Sequence, residues 1–151
     1  MKFEFEKLIV YQKAVDFADS IYKLSKNFPK EELFGITTQI RRASLSISLN
    51  IAEGYGRFYY QDNVRFCYIA RGSLDETLSH LSFAFEMKFI LEESYKSLQQ
   101  EGDEIDKMLN GYINFLKQSK RGLNEPGANL VIREDPVSYL PSLPDSQSPN
   151  S

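Results

Sequence analysis

The fold of this chain is decided by residues 39–54, which read QIRRASLSISLNIAEG. Apolar side chains recur in this stretch at spacings of three and four residues, at Ile40, Ala43, Ile47 and Ile51. Because an α-helix turns once every 3.6 residues, that period places all four on one helix face. Gly54 follows the last apolar position, and we predict that it ends the helix as a C′ glycine.

Three further segments carry the same helical period. The first runs from about Lys7 to Asn27 and ends before Phe28-Pro29, since the residue before proline avoids the helical region. The third and fourth run over about 62–88 and 92–119, and Gly35 is expected to separate a short turn from the second helix. The connections are short, so the sequence predicts an all-α, up-down-up-down antiparallel four-helix bundle.

The composition changes after residue 121. Residues 1–121 carry 17 of the 18 Lys and Arg residues and 17 of the 21 Asp and Glu residues, so the predicted bundle is neutral. Residues 122–151 hold five of the six prolines and are acidic. We predict one bundle domain over 1–121, followed by an extended C-terminal tail without a core of its own over 122–151.

The overall composition points to a globular protein outside the membrane. Hydrophobic residues make up 42% and charged residues 26%, which are ordinary values for a soluble domain. Apolar runs all fall short of the roughly 18 residues that a membrane span needs. Cys67 is the only cysteine, which excludes an internal disulfide and favours a reducing compartment. We therefore predict a cytoplasmic protein with no membrane partner.

A row of polar residues runs beside the apolar stripe of the second helix and contains Gln39, Arg42, Ser46, Asn50 and Glu53. Their spacing puts them on one face. The third helix carries a shorter polar row, and Gly72 beside it would let a neighbouring backbone approach closely. Two interpretations stay open: solvated helix faces, or a polar seam between helices or subunits formed by Arg42, Asn50, Glu53 and Glu76.

Patterns of catalytic or metal-binding residues are missing from the sequence. A di-iron bundle needs Glu-x-x-His motifs, whereas the single histidine, His80, follows Glu76 by four residues. Cys67 lies in an apolar stretch more than three helical turns from His80, so the two cannot form a nucleophile–base pair within one chain. The glycines near residue 54 lack the Lys-Ser/Thr of a phosphate loop. We predict a non-enzymatic protein with no cofactor and no metal.

Nucleic-acid binding is the second function that the residues suggest. Arg57 and Arg65 flank three consecutive aromatic residues, and this combination suits phosphate contacts with base stacking. We take Arg41, Arg57, Arg65 and Arg71 as candidate contacts to RNA or single-stranded DNA. The alternative is that the aromatic residues pack at the end of the bundle or against another subunit, which the neutral charge of the bundle favours.

Residues 39–57 and 66–76 together resemble the four-helix proteins encoded in 23S rRNA intervening sequences. The shared residues are Gln39, Arg42-Ala43, Ser46-Ile47, Asn50-Ile51-Ala52-Glu53-Gly54 and Gly56-Arg57, then Phe66, Ile69-Ala70-Arg71-Gly72-Ser73-Leu74 and Glu76. Residues 5–14 and 28–35 are also similar to that family, so the resemblance covers about residues 3–118. It implies a four-helix bundle that assembles as a homopentamer. It also implies kinship with the accessory variability determinant of diversity-generating retroelements, a basic pentamer that binds nucleic acid and a reverse transcriptase.

Two features depart from the family pattern. Tyr59-Tyr60 stand where a small polar cap is usual, so Asp62 or a backbone contact must cap the third helix. The acidic tail lies outside the shared pattern and opposes RNA binding, because carboxylates repel phosphate.

The leading hypothesis is a homo-oligomeric helical-bundle protein with an assembly or adaptor role, whose partner is itself. Surplus aromatic residues would supply the contacts between subunits: Tyr11, Tyr22, Tyr55, Phe58, Tyr59 and Tyr68. The alternative is an RNA or single-stranded DNA binder that works with a nucleic-acid enzyme.

Overall fold

The computed structural model describes residues 2–120, and four long helices make up most of this range. They are α1 (Ile9–Ser25), α2 (Thr38–Tyr55), α3 (Tyr60–Glu86) and α4 (Glu92–Ser119). Short 3₁₀ turns occupy Glu4–Lys7 and Lys30–Glu32, and a π-helical turn occupies Leu33–Thr37. Strands are absent from residues 2–120, so the predicted all-α class is confirmed. The predicted tail, 122–151, lies outside the described residues.

Consecutive helices are neighbours in space, and α1 also packs against α4. The contacts between α2 and α3 show their relative direction. Arg42 contacts Glu76, whereas Ser46, later in α2, contacts Ser73, earlier in α3. This reversed order is that of antiparallel neighbours, and the arrangement is compatible with the predicted up-down-up-down topology.

The core is built from the apolar stripe of each helix. The second helix contributes Ile40, Ile47 and Ile51, all with no exposed surface. The largest fully buried side chains of the other helices are Phe17, Ile21, Leu74, Leu81, Ile105 and Leu109. Burying one such side chain contributes about 1.5–3 kcal/mol, so these stripes supply the main stabilisation of the bundle.

The predicted role of Gly54 as a C′ residue is wrong. Helix α2 continues to Tyr55, and Gly54 is buried inside its last turn. A Cβ atom at Gly54 would lie 2.7 Å from Asn63 Oδ1 and 2.9 Å from Phe66 Cβ. Gly54 is therefore required because α3 approaches α2 closely here, and not because of the way the helix ends.

The entries to α2 and α3 differ in their local geometry. Gly35 has φ −112° and ψ −119° and interrupts the helical backbone before α2, as predicted. The turn around it leaves Phe34 93% exposed. At the start of α3, the backbone carbonyl of Tyr59 accepts the N–H of Asn63 at 3.2 Å, and Asp62 places its charge in the first turn. Within residues 2–120, none of the helices is long and apolar enough to cross a membrane.

Candidate functional site

The outer side of α2 presents leucines to solvent, opposite the isoleucines that α2 buries. Leu45 is 42% exposed and Leu49 is 59% exposed. Since they are four residues apart, they form one ridge along the helix. A helix that is apolar on two opposite sides has one side more than the monomer core uses.

Residues of α1 and α3 extend this ridge on both sides. On α1, Val15 and Tyr22 are exposed and lie seven residues apart on one face, and the Tyr22 ring lies 5.2 Å from the Arg41 guanidinium of α2. On α3, Ile69 is exposed and precedes Ser73, which contacts α2, by one turn. We call this surface the α2 face and define it by Val15, Tyr22, Leu45, Leu49 and Ile69.

A line of polar contacts joins α2 to α3 beside this face. Arg42 Nη2 donates hydrogen bonds of 3.1 Å to Glu76 Oε1 and to Gln39 Oε1. His80 Nε2 lies 3.6 Å from the same Glu76 oxygen. One turn further along α2, the hydroxyl groups of Ser46 and Ser73 are 2.9 Å apart. The structure therefore brings together Arg42 and Glu76, two of the four predicted seam residues.

The other two seam residues make their contacts within their own segment of the chain. Asn50 Nδ2 donates to the Ser46 carbonyl at 2.8 Å and to the Ser46 hydroxyl at 3.0 Å. Glu53 accepts a 2.7 Å hydrogen bond from Arg57, which follows α2. That these residues set the geometry between helices or subunits stays a prediction.

The ion pairs mark the two ends of the leucine ridge. The Arg42–Glu76 pair lies near the start of α2 and the Glu53–Arg57 pair near its end, with Leu45 and Leu49 between them. All four charged side chains are between 42% and 63% exposed, so each pair contributes only about 0–1 kcal/mol to stability. These pairs therefore border the α2 face and contribute little to the stability of the bundle.

The four candidate nucleic-acid arginines do not form one patch. Arg41 donates to the Ser25 hydroxyl at 2.7 Å and stacks on α1, while Arg57 lies 4.9 Å from the Phe66 ring beyond the other end of α2. The fourteen residues of α2 that follow Arg41 already separate the two sites by about 21 Å. Arg65 is exposed on α3, and Arg71 faces α4.

Arg71 belongs instead to a cluster that sequence reasoning missed. Its guanidinium carbon lies 5.0 Å from the centre of the Tyr68 ring, and Lys117 Nζ of α4 lies 5.4 Å from the same ring. Arg71 also donates to Asn110 Oδ1 of α4 at 2.8 Å. The sequence signal for part of this cluster was the seven-residue spacing of Asn110 and Lys117, which places both residues on one face of α4.

The aromatic residues expected between subunits fall into two groups. Tyr22, Tyr55 and Phe58 are exposed, whereas Tyr11, Tyr59 and Tyr68 are half-buried. Only the first group offers a large accessible ring surface to a second molecule.

The buried titratable groups are held in their neutral forms. Burial raises the pKa of the Cys67 thiol to about 12, so it is protonated at neutral pH and a poor nucleophile. Burial also raises the pKa of the Tyr112 hydroxyl, which accepts a 3.3 Å hydrogen bond from Asn63. Among residues 2–120, no group of three His, Cys, Asp or Glu side chains is placed to hold a metal ion.

Comparisons with known proteins place these features in a family. The family model described as 23S rRNA-intervening sequence protein matches residues 6–111, a range that contains the whole α2 face. A crystal structure of a protein of unknown function from the S23 ribosomal protein family of Bacteroides thetaiotaomicron is similar with a TM-score of 0.66 and 30% identity. That similarity covers 70% of this chain and 96% of the other. None of the curated proteins is similar enough to count as a match. This chain belongs to the 23S rRNA-intervening sequence protein family.

Proposed function

We propose that this protein is a non-enzymatic homo-oligomeric helical bundle with an assembly or adaptor role, and that its copies meet through the α2 face. The observation that carries this proposal is that α2 is apolar on two opposite sides. Its inner side fills the core with Ile47 and Ile51, and its outer side exposes Leu45 and Leu49. Exposed apolar side chains grouped on one side of a helix are typical of protein–protein contact sites.

The α2 face has the size of an ordinary interface. The 18 residues of α2 make it about 27 Å long. It is roughly 24 Å wide, because α2 forms one corner of the bundle and the axes of α1 and α3 lie about 14 Å apart across it. The resulting footprint of roughly 650 Å² lies within the range of about 600–1,000 Å² that each partner contributes to a standard interface.

The polar groups within the face would tolerate burial. Ser46, Ser73 and Asn50 already bond to one another or to the α2 backbone, so covering them leaves few of their polar atoms without a partner. The exposed ion pairs at the two ends would stay hydrated in a polar rim. A dry centre with a charged rim is the usual anatomy of a stable protein interface.

A second copy of this chain is the occupant that we favour, since the sequence resemblance implies a homopentamer. The subunit number, the kinship with retroelement accessory proteins and the cytoplasmic location stay predictions of the sequence. A five-fold ring needs a heterologous contact, in which the α2 face of one copy meets a different surface of the next.

Native mass spectrometry and analytical ultracentrifugation of the purified chain test the proposal. We expect an oligomer at tens of micromolar and expect Leu49→Glu to convert it to monomer, because a carboxylate would be desolvated in the interface. Gln100→Glu on the exposed side of α4 adds the same charge and should leave the oligomer intact. Circular dichroism verifies that both variants keep their helices. A wild-type monomer, or an oligomer that Leu49→Glu leaves unchanged, contradicts the proposal.

RNA or single-stranded DNA binding is the second candidate function, and the exposure of Arg65 on α3 supports it. Phosphate contacts predict that affinity for an oligonucleotide falls steeply as salt rises. Gel-shift titrations at several ionic strengths, with Arg65→Glu as the variant, test this function. The absence of a salt-sensitive shift at low ionic strength would remove it, along with the predicted partnership with a nucleic-acid enzyme.

A further inference from the structure

The surface between α1 and α4 carries exposed apolar side chains at one end of the bundle. Lys13 Nζ of α1 lies 3.5 Å from Glu104 Oε1 of α4, so these sides of the two helices face each other. Ile9 precedes Lys13 by one turn and Phe115 follows Glu104 by three turns, which places both on the same side. They are the most exposed large apolar side chains of α1 and α4. A second exposed apolar region therefore lies outside the α2 face.

Acidic side chains dominate the rest of this surface. Asp16 follows Lys13 by three residues and Glu101 precedes Glu104 by three, so both continue the facing rows. Burial raises the pKa of the Glu101 carboxyl, and the nearby Asp16 and Glu104 carboxylates add to the rise while Lys13 opposes it. One lysine therefore faces three carboxyl groups. We call this surface the α1–α4 side and define it by Ile9, Asp16, Glu101, Glu104 and Phe115.

Helix α2 has the opposite net charge to α4. The charged residues of α2 are Arg41, Arg42 and Glu53, whereas α4 carries six acidic and three basic residues. If two α2 faces met each other, two helices with excess positive charge would be brought together. Contact between α2 and the α1–α4 side brings opposite charges together instead, so charge complementarity favours this side of a second copy as the partner of the α2 face.

The order of apolar and charged residues also agrees between the two surfaces. Leu49 and Arg42 are seven residues apart, which is about 10 Å along α2, and Ile9 and Asp16 are seven residues apart on α1. In both pairs the charged residue lies toward the same end of the bundle, because α1 ends beside the start of α2. In a neighbouring copy that points the same way, Leu49 can therefore contact Ile9 while Arg42 contacts Asp16.

This pairing requires neighbouring copies to be offset along the bundle. The Tyr22 ring lies 5.2 Å from the Arg41 guanidinium, so these two residues are at nearly the same height. From that height, Leu49 is eight residues along α2 and Ile9 is thirteen residues back along α1. The difference of five residues corresponds to an offset of about 8 Å. Copies inclined to a common axis can have such an offset and still close into a ring.

We propose that the α2 face of one copy docks on the α1–α4 side of the next copy, with the leucine ridge on Ile9 and with Arg42 beside Asp16 and Glu101. This inference rests on the proposed homo-oligomer and names the surface that its α2 face contacts. Because the two surfaces differ, every chain offers one of each, and contacts continue from copy to copy until a ring closes.

Mixing two variants, each with one surface blocked, tests the pairing. Leu49→Glu blocks the α2 face and Ile9→Glu blocks the α1–α4 side, since each places a carboxylate in the contact. We expect each variant alone to be a monomer. Their equimolar mixture should form a heterodimer that grows no further, because only the α2 face of the Ile9→Glu copy and the α1–α4 side of the Leu49→Glu copy remain intact. Native mass spectrometry with one variant labelled with ¹⁵N identifies the heterodimer, and sedimentation over a range of concentrations measures its affinity.

Leu91→Glu is the matched control. Leu91 is an exposed apolar residue next to the start of α4, as Ile9 is at the start of α1, and it lies outside both surfaces. This variant should leave the wild-type oligomer intact. Phe115→Glu is a second change on the α1–α4 side and should behave as Ile9→Glu does. Circular dichroism verifies that all of these variants keep their helices.

Arg42 provides a test in which the same substitution is its own control. Arg42→Gln in the Ile9→Glu copy, which supplies the α2 face, should weaken the heterodimer by about two- to fivefold, as expected for an exposed charge pair. Arg42→Gln in the Leu49→Glu copy should have no effect, because the α2 face of that copy is not in the contact. Equal effects in the two copies would contradict the assigned contact of Arg42.

The outcomes separate this pairing from the proposed function. A wild-type monomer would contradict both. If Leu49→Glu dissociates the oligomer while Ile9→Glu and Phe115→Glu leave it intact, the oligomeric role of the α2 face stands and the pairing is overturned. The pairing is also overturned if both blocked variants are monomers and their mixture stays monomeric at concentrations where the wild-type chain assembles.

Discussion

Helices α2 and α4 use the same apolar period on their inner sides and differ on their outer sides. The 18 residues of α2 include three charged residues, whereas the 28 residues of α4 include nine. The exposed side of α2 carries Leu45 and Leu49, while that of α4 carries Gln100, Asp103 and Lys107. Because one inner stripe is sufficient for packing in the bundle, the outer residues distinguish α4, whose exposed side is mostly polar and carries Phe115 as its large apolar side chain, from α2, whose exposed side carries a ridge of leucines.

The largest expected effect is the difference in unfolding free energy between substitutions on the buried and the exposed sides of α2. Ile47→Ala should lower the free energy of unfolding by about 2–5 kcal/mol, because it leaves a cavity in the core. That loss should not depend on protein concentration. Leu49→Ala should cost less than about 1 kcal/mol in dilute solution and more as concentration rises, since mass action links association to stability. Urea unfolding at two concentrations measures both. Equal, concentration-independent losses would show that the α2 face has no partner among copies of the chain.

The next largest effect is expected from replacing one glycine of α2 and one glycine of α4 by alanine. Gly54→Ala should destabilise the bundle by about 1–3 kcal/mol, since the new methyl group would overlap Phe66 and Asn63 on α3. Gly111→Ala on α4 meets no atom within 4 Å and should stabilise the protein by about 0.5–1 kcal/mol through helix propensity. Thermal unfolding of both variants gives the comparison. If Gly54→Ala left the thermal stability unchanged, this would mean that α3 moves away from α2 at little energetic cost.

The smallest effect tests the charges between α1 and α4. Burial raises the pKa of Glu101, with Asp16 and Glu104 adding to the rise and Lys13 opposing it. A raised pKa means that the folded state binds the proton more tightly than the unfolded chain does. Stability from this group is therefore present below the unfolded pKa and is lost as pH rises through the folded pKa. Glu101→Gln should stabilise the protein at neutral pH by about a few tenths of a kcal/mol and have no effect near about pH 3. An equal effect at both pH values would show that the change acts by packing rather than charge.

The difference between α2 and α4 also explains which elements could be predicted from the sequence. Helix α4 begins and ends where the sequence indicates, at Glu92 and Ser119, because its single stripe and surrounding charges define it locally. The end of α2 could not be predicted, because the role of Gly54 depends on Asn63 and Phe66 in the next helix. A glycine at a helix end and a glycine at a close helix contact have the same sequence signature.

The same limit applies to the candidate site. Two polar rows on neighbouring helices were sufficient to suggest the contact between Arg42 and Glu76, since both rows lie on predictable helix faces. The arginines proposed to bind nucleic acid lie in different parts of the bundle, because Arg41 contacts α1 and Arg71 contacts α4. Lys117 lies at the same tyrosine ring as Arg71 only because α3 packs on α4, and the sequence of one helix alone does not indicate that packing.

The exposed turn before α2 determines where the folded chain is most easily cut. Phe34 projects almost entirely into solvent beside the non-helical Gly35, and an exposed aromatic side chain in such a turn is a preferred cleavage site for a chymotrypsin-like protease. Limited digestion should therefore nick the peptide bond after Phe34 first. The two fragments would carry α1 alone and α2 to α4 together, so the core contacts of Phe17 and Ile21 would decide whether the nicked protein stays in one piece.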